Sequence, residues 1–311
     1  MSTCATASSE LGEPLAGTAA TARTWLLLEQ AGPWGSEALL ESHLDPALGR
    51  ALKAATEGTG VRVALIRRPG RHADFHQPAR RRLYVAHTAP GRAWVRHGTT
   101  ADPRELLGLD LAALGAGAEP GHLDAYDADP LALVCTNGKR DRCCALLGRP
   151  LAAALHASGG TNTWEITHIG GHRFSPTLLL LPHGYAYGRV SAHDVKEITE
   201  AAYDGRVVLD GCRGRSTWER PAQSAELAVR AHARVYGPDE LTVVRTEGAD
   251  PHWTVTVAHR DGRAWAVDVS AEPGPEPSPA SCGAAALPQL RLVAGEPRVL
   301  DAALCGAPGP V

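Results

Sequence analysis

The stretch that decides the fold reads Leu131-Ala-Leu-Val-Cys-Thr-Asn-Gly-Lys-Arg-Asp-Arg-Cys-Cys144. Its first four residues predict a short buried strand, which places Cys135 at the carboxyl end of that strand. A second stretch follows after a helix-like segment and reads Thr167-His-Ile-Gly-Gly-His-Arg-Phe174. Two thiols and two imidazoles drawn from two neighbouring loops are the donor set that a metal ion or an iron–sulfur centre needs.

The segments around these loops predict a β-α-β-β-β-α order. Strands are expected at 131–134, 163–167, 178–181 and 185–190, with helices at 149–158 and 194–203. This order is that of a thioredoxin-like domain, in which the chemistry lies in loops beyond the first strand. An earlier block has a similar pattern, with strands at 24–30, 61–66 and 82–87 and a helix at 37–56. The fold class is therefore α/β.

Composition and charge limit the classes of function. The 311 residues carry 31 basic and 34 acidic side chains, and 31 − 34 = −3 argues against a general nucleic-acid binder. The chain has no apolar run long enough for a membrane helix, and no signal peptide is expected at its N-terminus. Seven cysteines, an odd number, without an export signal predict a reducing cytoplasmic location and thiols available for metal binding.

The spacing within the two loops narrows the chemistry. Gly170 and Gly171 oppose a helix, so the histidines are not the i, i+4 pair of a helical zinc site. The same glycines let the loop curl so that amide N–H groups approach an anionic or sulfide-bearing centre. A disulfide between the adjacent Cys143 and Cys144 is disfavoured, because neighbouring Cα atoms lie only about 3.8 Å apart.

These loops resemble the signature of the sucrase/ferredoxin-like family, whose members are similar to thioredoxin-like [2Fe–2S] ferredoxins. Further similar runs are Trp25-Leu-Leu-Leu-Glu29 with Gly32-Pro-Trp-Gly35, Leu181-Pro-His-Gly-Tyr-Ala-Tyr-Gly188, Gly211-Cys-Arg-Gly-Arg-Ser216 and Ser281-Cys-Gly283. The resemblance implies one [2Fe–2S] cluster with metal ligands carried over by position. Those ligands are Cys135, Cys144, His168 and His172. Spacing alone leaves Cys143 open as a replacement for Cys144.

Composition and local pattern, together with this resemblance, divide the chain. We expect a disordered lead-in over 1–20, an N-terminal α/β domain over 21–123 and a thioredoxin-like [2Fe–2S] domain over 128–236. A β-rich extension and tail are expected over 237–311, lying mostly on the surface. Whether the N-terminal domain shields the cluster, contacts a partner or forms a homodimer surface is left open.

The implied ligand set predicts an electron-transfer protein. Two neutral imidazoles in place of two thiolates make the centre less negative, so its potential is expected to be high and coupled to histidine protonation. We expect Lys139, Arg140, Gly170, Gly171 and Arg173 to surround the cofactor. The electron donor is expected to be a redox partner protein or a small-molecule reductant, because no flavin or nicotinamide signature is present.

Two other functions would use the same cysteine and histidine side chains. A structural Cys₂His₂ zinc site would employ the same four ligands. A thiol–disulfide oxidoreductase would use Cys143 or Cys144 as a nucleophile, although no Cys-x-x-Cys motif is present. No Gly-x-Ser-x-Gly elbow indicates a hydrolase, and whether the protein catalyses a reaction is left open.

Overall fold

The computed structural model describes residues 3–70, 79–159 and 161–300. Within them lie the α-helices α1 (Cys4–Glu10), α2 (Pro46–Thr56), α3 (Leu111–Ala116), α4 (Arg149–Ser158), α5 (Ala192–Tyr203) and α6 (Arg220–Ala233). Short 3₁₀ turns occur at Pro103–Gly108 and His172–Phe174, and a π-type turn, Cys144–Gly148, leads into α4. Among the described residues, no helix combines the length and the apolar character needed to span a membrane.

A large mixed sheet forms the body of the protein. Its strands are β1 (Thr24–Glu29), β2 (Val61–Arg67), β3 (Arg81–His87), β4 (Trp94–Thr100), β5 (Asp124–Ala125), β6 (Leu131–Cys135), β7 (Asn162–Ile166), β8 (Thr177–Leu181), β9 (Tyr185–Gly188) and β10 (Cys212–Arg215). Their spatial order is β10-β9-β8-β6-β7-β2-β1-β3-β4-β5. The continuous apolar runs of β1, β6 and β8 fit this position, because both of their faces are buried.

The sheet contains the same arrangement twice. In one half β1 pairs in parallel with β2 and antiparallel with β3, and in the other β6 pairs in parallel with β7 and antiparallel with β8. The halves meet where β2 and β7 run antiparallel, through Ile66 opposite Ile166 and Arg67 opposite Glu165. A buried ion pair of 2.7 Å joins Arg67 to Glu165. The two sequence blocks therefore share one continuous sheet.

A second sheet follows α6. Its strands are β11 (Leu241–Ala249), β12 (His252–His259), β13 (Ala264–Pro279), β14 (Ala286–Ala294) and β15 (Arg298–Leu300). They pair in the order β11-β12-β13-β14, and β15 pairs with β13. The Pro-rich segment that the sequence places on the surface is largely exposed, and it extends β13 and pairs with β14, with its register shift between Pro273 and Pro277. An irregular ladder of this kind accommodates residues that lack an N–H donor.

Two local expectations differ from the structure. The helix expected over 37–56 begins only at Pro46, because Asp45 accepts a hydrogen bond from the Ala47 N–H and proline suits a first helical turn. The lead-in expected to be disordered contains α1, whose Cys4 and Ala5 are buried against Cys143. Burial of these small side chains stabilises the ordered conformation of the segment.

Candidate metal centre

The cysteine loop brings Cys135 and Cys144 together at the end of β6. Both side chains are buried and belong to the apolar cluster that runs through the centre of the large sheet. The π-type turn packs directly on the strand end, because a Cβ at Gly148 would lie 2.1 Å from the Cys135 carbonyl oxygen. Only glycine permits this approach, and the approach returns Cys144 to the side of Cys135.

The histidine loop adds the imidazoles. One ligand atom each from Cys135, Cys144 and His168 lies within 4.8 Å of the others. The His172 ring is not in that group of three, but its centroid lies 5.2 Å from that of His168. His168 thus lies next to both thiols, and His172 lies next to His168.

The imidazole nitrogens show which atoms are available. The Nδ1 atoms of both His168 and His172 are buried and have no hydrogen-bond partner among the described residues. The Nε2 atom of His172, in contrast, lies 2.7 Å from the Ala280 carbonyl oxygen. An N–H at Nε2 donating to that carbonyl leaves the Nδ1 lone pair free, and a histidine that binds a metal usually donates its other ring N–H to such a partner.

The two thiols of the centre differ in their electrostatics. A hydrogen bond from the Cys144 thiol lowers the pKa of Cys135 well below its usual value, and His168 lowers it further. The same hydrogen bond, together with burial, raises the pKa of Cys144. Cys135 is therefore the more acidic thiol of the pair, and a metal that binds both sulfurs would displace the proton of Cys144.

Two arginines donate hydrogen bonds to backbone carbonyl groups of the histidine loop. Arg62 donates to the His168 carbonyl oxygen at 3.0 Å, and the fully buried Arg213 donates to the Gly170 carbonyl oxygen at 3.2 Å. Burial lowers the pKa of Arg213 to about 10, while the nearby Cys135 acts to raise it. The Arg213 guanidinium group therefore remains charged at neutral pH and adds positive charge next to Cys135.

The glycines between the histidines have distinct roles. Gly170 and Gly171 have φ of +77° and +69°, in the left-handed region that favours glycine. A Cβ at Gly171 would also lie 2.0 Å from an Arg213 guanidinium nitrogen, whereas one at Gly170 would meet only Ala20 at 3.6 Å. The loop therefore curls around Arg213, and Gly171 is the point of closest approach.

The basic side chains expected around the cofactor lie in two places. Lys139 and Arg140 are exposed on the cysteine loop. Arg173 follows His172, but it forms an ion pair of 3.0 Å with Glu13 and donates to the Gln289 side chain at 2.8 Å. Its guanidinium group is thus bound to the N-terminal and C-terminal segments.

Sequence reasoning missed four residues that the structure brings to these loops. They are Arg62, Arg213, Ala280 and Cys4. Arg213 lies in the Gly211–Ser216 run already noted for its resemblance, which is the one sequence signal that singled it out. Cys143 does not join Cys135. Instead it lies with Cys4, Cys282 and Asp141 in a separate group of potential ligands.

Comparison with known proteins gives a family and two distant relatives. The sequence profile described as sucrase/ferredoxin-like matches residues 15–214. "Altered inheritance of mitochondria protein 32" of Meyerozyma guilliermondii is 31% identical over 97 residues, which cover 28% of this chain and 34% of the relative. The Candida glabrata protein of the same name is 26% identical over 101 residues, which cover 28% and 32%. The chain thus spans about a third of these relatives, and no solved structure matches it.

Proposed function

We infer the function of this protein from one premise: it belongs to the sucrase/ferredoxin-like family. We propose that it is an electron-transfer protein with one [2Fe–2S] cluster, bound by Cys135 and Cys144 on one side and by His168 and His172 on the other. In this proposal the half of the sheet that contains β6 to β9, with α4 and α5, is a thioredoxin-like ferredoxin domain. The cluster supplies a one-electron acceptor when it is bound.

The observation that carries the proposal is the set of buried side-chain atoms that could bind a metal: two thiol sulfurs and two imidazole nitrogens without a hydrogen-bond partner among the described residues. Two buried thiols face a loop on which two buried Nδ1 atoms have no partner among the described residues. A buried polar atom without a hydrogen bond costs about 1–3 kcal/mol. Bonds to a metal centre would satisfy both imidazoles at once, and soft sulfur with imidazole suits iron–sulfur chemistry.

The surrounding residues fix the histidines and set the charge. Ala280 accepts from His172, and Arg62 with Arg213 binds the carbonyl groups of the loop between the histidines. The two arginines favour the more negative, reduced state of a neighbouring centre. Neutral imidazole ligands also favour the reduced state and so raise the reduction potential. Histidine-ligated clusters have potentials of roughly −150 to +300 mV.

The exposed part of the cysteine loop is our candidate for the partner surface. Lys139, Arg140 and Arg142 are exposed beside it, and the side chains of Leu146 and Leu147 follow Cys144 with exposures of 53% and 38%. A basic rim around an apolar contact would suit an acidic redox protein. We propose that electrons enter here, in a reducing cytoplasm that keeps the described cysteines as free thiols.

The test is anaerobic purification followed by metal analysis and spectroscopy. We expect a red-brown protein with two irons and two sulfides per chain, and histidine nitrogen couplings in the electron paramagnetic resonance of its reduced form. His168→Ala and His172→Ala should abolish or alter this spectrum. His193→Ala, at an exposed position on α5, is the matched control and should leave it unchanged.

The same measurements separate the competing functions. A colourless protein whose zinc depends on Cys135 and His168 would replace the cluster by a zinc site. Thiol-exchange activity that is lost in Cys144→Ser, without any histidine-dependent spectrum, would indicate a thiol–disulfide oxidoreductase. A midpoint potential that does not change with pH would exclude coupling to histidine protonation.

A further inference from the structure

Three cysteines that are far apart in sequence meet beside the candidate cluster site. Cys4 lies in α1, Cys143 lies just before the π-type turn, and Cys282 lies in the connection between β13 and β14. The Sγ atom of Cys143 is 3.4 Å from that of Cys4 and 3.2 Å from that of Cys282, and the Cys4 and Cys282 sulfurs are 3.6 Å apart. We propose that they bind a second metal, a single tetrahedral zinc ion.

The distances between the sulfurs indicate one ion and not a second cluster. With Zn–S bonds of about 2.3 Å, tetrahedral geometry places neighbouring sulfurs about 3.8 Å apart. The observed 3.2–3.6 Å is close to that value. An iron–sulfur cube would distribute the three cysteines over different irons, farther from one another. A disulfide needs about 2.05 Å, and the three side chains are free thiols.

Asp141 is placed to be the fourth ligand. Its two carboxylate oxygens lie 3.7 and 3.8 Å from the Cys4 sulfur. Tetrahedral zinc with a Zn–O bond of about 2.0 Å needs a sulfur–oxygen distance of roughly 3.5 Å. The backbone N–H groups of Cys143 and Cys282 each donate to this carboxylate at 2.8 Å, so its orientation is already fixed.

Burial also favours an ion at this position. Cys4 and Cys143 have relative exposures of 1% and 0%, and the Asp141 carboxylate lies among them with only 1% of its side chain exposed. A buried carboxylate surrounded by thiols is costly unless a positive charge accompanies it. The only basic group recorded in an ion pair with Asp141, among the described residues, is the His172 imidazole at 3.7 Å. A divalent cation would supply the missing charge.

The second ion would join two distant segments to the cysteine loop. Cys143 and Cys144 are adjacent in sequence but belong to different ligand groups, so a metal at one group restricts the backbone at the other. Asp141 lies between the two groups, because it contacts both Cys4 and the His172 Nε2 atom. The zinc site would therefore be a positioning element that holds α1 and the β13–β14 connection against the candidate redox centre.

The test measures zinc and iron in the same anaerobically purified samples. We expect one zinc per wild-type chain, loss of that zinc in Cys4→Ser and Cys282→Ser, and retention of it in Cys212→Ala, whose cysteine lies in another apolar cluster. His168→Ala should lose iron and keep zinc, so failure of the cluster proposal and failure of this one give different results.

A second measurement uses only the wild-type chain, in case the variants do not fold. Cys4, Cys143 and Cys282 should resist alkylation in the native protein and become reactive together when a zinc chelator is added. Cobalt added to chelator-treated protein should give the thiolate charge-transfer and tetrahedral ligand-field bands. Zinc-free wild-type protein, zinc that follows Cys135 and not Cys282, iron at this site, or a disulfide between Cys143 and Cys282 would overturn the inference.

Discussion

Replacing Gly171 with alanine is expected to damage the histidine loop more than the same change at the adjacent Gly170. Both glycines have positive φ, so both variants place an L side chain in the left-handed region. Only the Gly171 Cβ would collide with a neighbour, at 2.0 Å from one nitrogen and 2.4 Å from the central carbon of the Arg213 guanidinium group. The pair of variants thus separates backbone strain from steric collision.

The free-energy cost of each variant is the sum of a backbone contribution and, for Gly171, a steric contribution. Left-handed backbone costs an alanine about 1–2 kcal/mol, which is the whole penalty expected for Gly170→Ala. Overpacking against a fixed neighbour adds about 1–3 kcal/mol, so Gly171→Ala should lose roughly 2–5 kcal/mol in total. Arg213 cannot easily move away, because it is fully buried and also donates to the Thr18 hydroxyl at 3.0 Å.

Urea unfolding of the two anaerobically purified variants measures the stability difference, and visible absorbance measures the bound cofactor. Gly170→Ala should keep its cofactor with a slightly lower unfolding midpoint. Gly171→Ala should lose most of it, because the histidine loop must shift away from the fixed Arg213, which breaks the hydrogen bond to the Gly170 carbonyl and displaces His168. Equal unfolding midpoints and equal cofactor content in the two variants would refute the role of Arg213 as the support of the loop.

Three further predictions concern the redox centre and the fold around it. His172→Cys should lower the midpoint potential by about 125–350 mV in film voltammetry, half the difference between histidine-ligated and all-cysteine clusters. Glu226→Gln should lower the free energy of unfolding by about 3–5 kcal/mol, because its 2.6 Å ion pair with Arg230 is fully buried. Burial lowers the pKa of His183 to about 4. As the pH falls, His183 therefore takes up its proton in the unfolded chain before it does so in the folded protein. The free energy of unfolding should decrease as pH falls from about 6.5 toward 4.

The first two predictions have a matched control, and the third is tested by removing the histidine itself. His193→Cys adds a thiol on the surface and should leave the potential unchanged. Glu37→Gln breaks an exposed ion pair with Lys53, which solvent screens, and should lower the free energy of unfolding far less than Glu226→Gln does. His183→Gln should flatten the acid dependence of the urea midpoint. An unchanged potential in His172→Cys, equal losses for the two glutamate variants, or an unchanged slope in His183→Gln would each contradict the corresponding reasoning.

Local pattern was sufficient for strands β1 to β3 and β6 to β9 and for the position of the loops that carry the proposed ligands, but it missed β4, β10 and β14. The apolar runs of β1, β6 and β8 contain enough buried residues to be read directly, and Cys135 and His168 follow from their strand ends. The start of α2 was missed because periodic leucines continue upstream of Asp45 and Pro46, where capping and not hydrophobic spacing sets the boundary.

Contacts between distant segments could not be read in the same way. Cys4 and Cys282 are separated by 278 positions, so no spacing motif joins them, and their proximity depends on how α1 and the second sheet pack. Arg213 presents the same difficulty, because its carbonyl acceptors belong to the histidine loop and to Thr18. A single sequence contains no periodic signal for such pairings.

The carbonyl group of Ala280 has a practical consequence for the protein's minimal unit. The family match ends at residue 214 and includes all four proposed cluster ligands, yet the acceptor for the His172 Nε2–H lies 66 positions further along the chain, since 280 − 214 = 66. A truncated chain that follows the family boundary would keep every ligand but lose the group that selects the His172 tautomer. Recombinant fragments should therefore be designed to extend through β14.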